Sequence, residues 1–440
     1  MGLPHTAYAG SMRRRQFLTA LAAPAALPAQ TPSRERILST MDKAVRFFRS
    51  ISTEGGYLWR YSTDLRSRFG ETVATATQVW VQPPGTPAVG QAFLTAWRAT
   101  RNGQYLQAAQ GAASALVRGQ LESGGWDYRI EFDPAERYRW NYRGSKSARL
   151  NVSTLDDDNS QSAIRLLMDV HTAQSDAKFK DAAEYGLRAL LENQYSNGAW
   201  PQRFPAPKEG YFGYYTFNDN TISDTVRTLI EAWSHFKEER YLNAVRKAGE
   251  FIIAAQRPEP QPVWAQQYDL EMRPAWARKF EPPSGCSSES AGVIRILLSI
   301  WKATGDARFL KPIEPAIAWF RRSEVAPGRW ARFYELGTNR PLYFTTKYEL
   351  TYEASDLPTH YSFQGPMGVA AVIAEWEAVK GLSVEQARAR AARPLEGTQS
   401  RALRAVETID GEGRWVNNGW IESRAFIENM NALASQLSTG

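Results

Sequence analysis

The sequence predicts an all-α chain built as an (α/α) toroid, an incomplete barrel of helical hairpins. Three observations predict it. From Ser33 onward apolar residues recur at helical spacing, with Ile37, Met41, Val45 and Phe48 on one face of the first helix. A unit of about 65–75 residues then repeats: an amphipathic helix, a Gly/Asn/Asp turn, an Ala-rich helix, and a loop with Trp near its end. The loop tryptophans Trp126, Trp200, Trp264 and Trp330 stand 74, 64 and 66 residues apart. Helix pairs of this length bury a continuous core when stacked side by side, and closing the stack buries its ends. An open, protein-binding solenoid is the alternative. The irregular, aromatic, Pro-containing loops argue against it.

Taken in order, residues 1–29 read as an export leader. Arg13, Arg14 and Arg15 precede a short apolar run that ends in small residues. The order Arg14-Arg15-Gln16-Phe17-Leu18 looks like a twin-arginine signal, which carries cargo already folded. The apolar run is too short to span a bilayer, and no later stretch is apolar for 18 residues. Residues 30–440 read as one toroid domain. Thr338 to Gln364 breaks the helical pattern: β-branched and aromatic residues alternate, so short strands or a long loop laid over one face are expected. Helices resume near Gly368, and the tail from Trp415 to Leu437 ends in an amphipathic helix.

Composition narrows the function. Hydrophobic residues are 43% of the 440, enough for a sizeable core, and 15 Trp suit either a carbohydrate cleft or the capping of helix pairs. The single Cys286 excludes an intramolecular disulfide, and four His make chemistry built on a His cluster unfavourable. The formal charge of +7 falls to +4 without the leader and is spread along the chain, lacking the Lys/Arg blocks of a nucleic-acid binder. A mildly basic chain suits an anionic substrate.

Asn193 to Asn220 is the most informative stretch. It is too rich in Gly, Pro and aromatics for a helix, and it places Trp200, Phe204, Tyr211, Tyr214 and Tyr215 beside the polar run Asn218-Asp219-Asn220. Comparable clusters open other helices, at Leu155-Asp156-Asp157-Asp158-Asn159 and Ser287-Ser288-Glu289. Such residues cap helices. Three consecutive acids exceed what one cap needs, however, and oxygen ligands from separate loops are what Ca²⁺ takes. Arg203, Arg278, Lys279, Arg332 and Arg340 recur on the same predicted face, with guanidiniums suited to carboxylates.

The segments NGAWPQRFP with TFNDN, VWAQQYDLEMRPAWARKFEPPS with SSES, and TLDDDNSQSAIRLL resemble the pectate lyases of polysaccharide lyase family 10, in order and spacing, from about residue 120 to 345. The resemblance implies an (α/α) toroid and Ca²⁺-assisted β-elimination on polygalacturonate or a related anionic polysaccharide. It implies Arg278 as the base that takes the C5 proton, which requires neighbouring cations and desolvation to depress its pKa. It assigns Asp156 and Asp219 to Ca²⁺ and the substrate carboxylate, with Asp158 added as the third metal ligand. Trp200, Gln202, Arg203, Tyr215, Asn218, Lys279, Glu289, Arg332 and Arg340 are the expected substrate contacts. No nucleic acid and no membrane span are expected, and the protein is expected to be a monomer. The chain departs from the family at Asn220 (usually a second acid), Tyr268 (often His) and Ser287-Ser288 (often Gly-Gly), and after Pro341.

Three rivals stand beside this. A glycoside hydrolase on the same toroid would use paired carboxylates drawn from Asp158, Asp219 and Glu289. A triterpene-cyclase-like reading rests on the turns from Gln120 to Trp126 and Gln194 to Trp200. A non-catalytic polysaccharide-binding protein would use the aromatic face alone.

Overall fold

The computed structural model describes residues 32–145, 147, 149–390 and 398–439; the leader read over residues 1–29 lies outside them. Thirteen α-helices dominate among the described residues. They are α1 (Arg34–Ile51), α2 (Thr86–Thr100), α3 (Gly103–Gly119), α4 (Asn159–Ala173), α5 (Ala177–Glu192), α6 (Thr221–Phe236), α7 (Glu239–Ala255), α8 (Ser287–Thr304), α9 (Ile313–Arg322), α10 (Val369–Glu377), α11 (Val384–Ala389), α12 (Thr398–Thr408) and α13 (Ser423–Thr439).

Local sequence sets their ends. Ser33, Asn102 and Asp176 accept backbone N–H groups at the starts of α1, α3 and α5. Arg101 closes α2 and Gly305 closes α8, both in the left-handed region. Helices α2–α3, α4–α5 and α6–α7 are hairpins, and their first members pack in one row with α13, α8 and α10, in the spatial order α13, α2, α4, α6, α8, α10. Their surroundings differ accordingly. Helix α4 is buried almost all round through its first ten residues, whereas α5 buries one face.

The loop tryptophans are bolts in this arrangement. Trp126, Trp200 and Trp330 each donate from Nε1 to a carbonyl ten residues back, at Leu116, Leu190 and Phe320, and Trp264 reaches Ile252 O at 2.7 Å. A fifth, Trp415, makes the same bond to Ala405 O at 2.9 Å. Trp126, Trp200 and Trp264 are 0% exposed. The repeat is thus a helix whose last turn is tied to the loop that follows it.

The segment after Glu335 is extended, as its alternation predicts. Pro341–Phe344 pairs antiparallel with Phe333–Tyr334 and with Leu350–Thr351; Phe333–Tyr334 also pairs with Gly285–Cys286, just before α8. Gln364–Gly365 pairs with Trp330–Ala331. The first and last described helices meet as well. Arg60–Ser62 pairs with Trp420–Glu422, and Phe426 on α13 stacks on Phe48 of α1 at 3.8 Å. No described helix is long and apolar enough to cross a membrane.

Candidate active site

The site is built where α4, α6 and α8 begin. The approach to α4 runs Asp156-Asp157-Asp158, and the approach to α6 runs Asn218-Asp219-Asn220; each is a single 3-10 turn. In both turns the second and third residues are left-handed, with φ 47° and 62° at Asp157 and Asp158, and 49° and 58° at Asp219 and Asn220. Asp and Asn tolerate this region where most side chains do not. The turns pack against each other, which brings carboxylate oxygens of Asp156, Asp157 and Asp219 within 4.8 Å of one another.

Neutral donors hold the cluster. Gln202 Nε2 donates to Asp156 Oδ1 at 3.0 Å and to Asp219 Oδ2 at 3.2 Å. Tyr128 donates to Asp156, Gln82 Nε2 donates to Asp157 Oδ2 at 2.8 Å, and Asn218 Nδ2 donates to Asp219 Oδ2 at 2.6 Å. Three like charges in partial burial disfavour ionisation. Loss of water, together with Asp156 and Asp157, pushes the Asp219 carboxyl up to about 9. Loss of water and the charge of Asp156 push Asp157 up to about 6.

Arg278 faces this cluster. Its Nη2 lies 2.6 Å from Glu281 Oε1 and 3.7 Å from Asp219 Oδ2, and the Glu281 side chain is 0% exposed. Burial alone would lower the Arg278 pKa, but the hydrogen bond and charge of Glu281, with Asp219 and Tyr361, outweigh it and raise it. The expectation of a base depressed by neighbouring cations is therefore not met in the free protein, because the groups touching Arg278 are anions that hold its proton. Beside the cluster, a hollow of about 170 Å³ is lined by Asp157, Asp219, Asn220, Ser288, Glu289 and Arg332. Within it Arg332 Nη2 meets Glu289 Oε1 at 2.6 Å.

The structure thus brings together Asp156, Asp219, Gln202, Asn218, Arg278, Glu289 and Arg332. Arg203 and Lys279 flank them, each laid over a ring, Phe212 at 3.8 Å and Tyr348 at 3.6 Å. Four expectations are corrected. Asp158 is not in the carboxylate cluster: its carboxylate turns away and pairs with Arg165 of α4, and Asp157 takes the place expected of it. Trp200 cannot wall a cleft, because its ring is wholly buried and bonded to Leu190. Tyr215 is 9% exposed and packs edge-on against Tyr195 and Phe251. Arg340 is exposed and stacked on Tyr352 at 3.6 Å, outside the hollow's lining. The departure at Tyr268 is structural, since its hydroxyl donates to Ala255 O and accepts from Ala265 N inside the core.

Sequence reasoning missed Asp157, Gln82, Tyr128, Glu281 and Tyr361. For Asp157 a signal existed: aligning Leu155–Asn159 with Phe217–Thr221 puts Asp157 opposite Asp219. For the other four it did not, because each reaches the site by tertiary packing. The donors around the three carboxylates suit a hard cation, since the cluster offers oxygen only and the buried Asn218 Oδ1 beside Asp219 has no partner among the described residues.

Comparison with known proteins bears on the same residues. The sequence pattern of the pectic acid lyase family matches residues 120–329. No curated protein sequence matches the chain. A family 10 polysaccharide lyase from Cellvibrio cellulosa, solved as an alanine mutant with trigalacturonic acid, is 23% identical; the match covers 67% of this chain and 98% of that one, with a TM-score of 0.51. The same lyase in a second structure gives 23% identity over 67% and 96%, with a TM-score of 0.50. A D-mannose isomerase is 12% identical over 94% of this chain and 100% of its own, with a TM-score of 0.51, a likeness of fold alone. The family match spans Asp156, Asp157, Asp219 and Arg278 and bears out, over residues 120–329, the resemblance read from the motifs.

Proposed function

We propose that this protein is a lyase that cleaves polygalacturonate, or a closely related anionic uronate polymer, by calcium-assisted β-elimination. One observation carries the proposal: an all-oxygen cluster of Asp156, Asp157 and Asp219 lies against Arg278, inside the stretch that matches the family. The lyase complex with trigalacturonic acid supports a uronate as the ligand class. Asp156, Asp157 and Asp219 would hold Ca²⁺, with Asn218 Oδ1 as a further oxygen. When bound, the ion supplies positive charge that acidifies the C5 proton through the neighbouring sugar carboxylate.

The chain's own residues do the rest. Arg278 is placed to receive the C5 proton. As it leaves, the C5–H electron pair forms the C4=C5 double bond, the C4–O bond breaks, and the departing oxygen takes a proton from solvent. Arg332, held by Glu289, would bind the uronate carboxylate, and Gln202 and Asn218 orient the acids. Because Glu281 keeps Arg278 protonated in the free protein, its base form is a minority species and the reaction should favour alkaline pH.

The architecture supports an incomplete (α/α) toroid over residues 30–440, with α13, α2, α4, α6, α8 and α10 as its inner row. The leader read in residues 1–29 would place the enzyme outside the cytoplasm.

The test is ultraviolet absorbance of a conjugated alkene from polygalacturonate at alkaline pH, with Ca²⁺ and with chelator. Unsaturated product that needs Ca²⁺ supports the proposal. A second reading has support in Asp219, a carboxyl kept protonated beside a second acid, as a hydrolase's general acid would be. New reducing ends without unsaturation would replace the lyase reaction with hydrolysis.

A further inference from the structure

Two guanidiniums in the cleft keep one donor each without an acceptor. Arg278 Nε and Arg332 Nε are buried and have no hydrogen-bond partner among the described residues. Each guanidinium has its own buried carboxylate at 2.6 Å, Glu281 for Arg278 and Glu289 for Arg332. Between them stands the ring of Tyr361, its centroid 4.5 Å from Arg332 Cζ and 5.8 Å from Arg278 Cζ. The Tyr361 hydroxyl donates to Glu281 Oε1 at 3.1 Å, the same oxygen that takes Arg278 Nη2.

Tyr361 comes from outside the residues that match the family. It sits on the extended segment after Glu335, fixed where Arg332 N donates to Phe363 O at 2.8 Å and where Phe280 and Phe363 meet its ring at 4.9 and 5.2 Å. Two like charges on one cleft wall repel, and a long guanidinium side chain loses much rotamer freedom when held in one direction. A π face offered to both cations offsets part of that cost.

We propose that Tyr361 is a positioning residue for the lyase site, resting on the uronate reading above. Its hydroxyl fixes Glu281 and through it the aim of Arg278; its ring spaces Arg278 from Arg332. The two guanidiniums are thereby held in fixed directions at the site where an anionic sugar would lie.

The experiment compares steady-state kinetics on polygalacturonate for wild type, Tyr361→Phe, Glu281→Gln and the double variant, and adds crystal structures of wild type and Tyr361→Leu without substrate. Tyr361→Phe is expected to lower kcat about tenfold, the scale of one hydrogen bond to a charged group, with KM and melting temperature unchanged. In the Glu281→Gln background the same change should have no further effect, because the two act through one contact. Wild-type kinetics in Tyr361→Phe, or losses that simply multiply in the double variant, would overturn the proposal. A merely structural role would move KM and melting together with kcat. If wild type makes no unsaturated product from any uronate polymer, the substrate reading fails, and the crystal structures decide this inference. Guanidiniums displaced in Tyr361→Leu uphold the positioning role, and guanidiniums that superpose on wild type overturn it.

Discussion

Asp157 and Asp219 occupy the same place in successive repeats. Each is the second residue of a 3-10 turn before an inner helix, each is left-handed, and their carboxylates converge. Two copies of one local structure therefore build a single acidic cluster.

It follows that Asp157→Asn should weaken Ca²⁺ binding as Asp219→Asn does, whereas Asp158→Asn should not. Isothermal titration with Ca²⁺ checks this. The Asp158 variant should instead lose stability, by about 1–3 kcal/mol, because Arg165 is 6% exposed and would lose its nearest carboxylate. Equal calcium affinity in the Asp157 variant and wild type would remove Asp157 from the site.

Stability should depend on pH through Asp219. Its folded value of about 9 lies above the usual 3.8, so the fold holds this proton more tightly than the unfolded chain. The stabilisation is complete below the unfolded value and is lost as pH rises toward 9. Thermal melts in chelator should show the melting temperature falling over that window, and Asp219→Asn or added Ca²⁺ should flatten the slope. A slope of the opposite sign would show that Asp219 is ionised in the free protein.

The pH–rate profile tests Arg278. Since Glu281 raises its pKa, the rate should climb across the alkaline range without levelling off while the protein stays folded. Arg278→Ala should lower kcat by about 10²–10⁴-fold. A plateau near neutral pH would point to another base.

Trp200→Ala should act on the fold and not on the sugar. Its ring is fully buried, so the cost is about 3–5 kcal/mol of stability. Denaturant unfolding measures it, and KM of the remaining folded enzyme should be unchanged. A large rise in KM without destabilisation would restore Trp200 to the cleft.

Much of this fold was legible because one device repeats. A tryptophan tied to its helix by a bond about ten residues long leaves a regular mark, and four of the five were found by spacing. Trp415 escaped because the extended segment and α10 to α12 widen the last interval to 85 residues. The acids were legible as a run, but the run does not say which carboxylate turns where. Only the folded turn shows that Asp157 joins the cluster while Asp158 pairs with Arg165. Trp200 was misplaced because a buried bolt and a sugar platform have the same composition. Glu281 and Tyr361, 80 residues apart, meet only in the folded chain.

The pairing of Arg60–Ser62 with Trp420–Glu422 gives the molecule a late seam. Ser423 Oγ donates to Leu58 O across 365 residues of chain, and Phe426 covers Phe48 and Phe93. The first helices are made long before α13 yet keep an uncovered apolar face until α13 appears. Contacts of such separation form slowly. A chain lacking α13 should therefore be recovered as aggregate and not as a smaller enzyme, and whatever carries the nascent protein has to shield the α1–α2 face until α13 has been made.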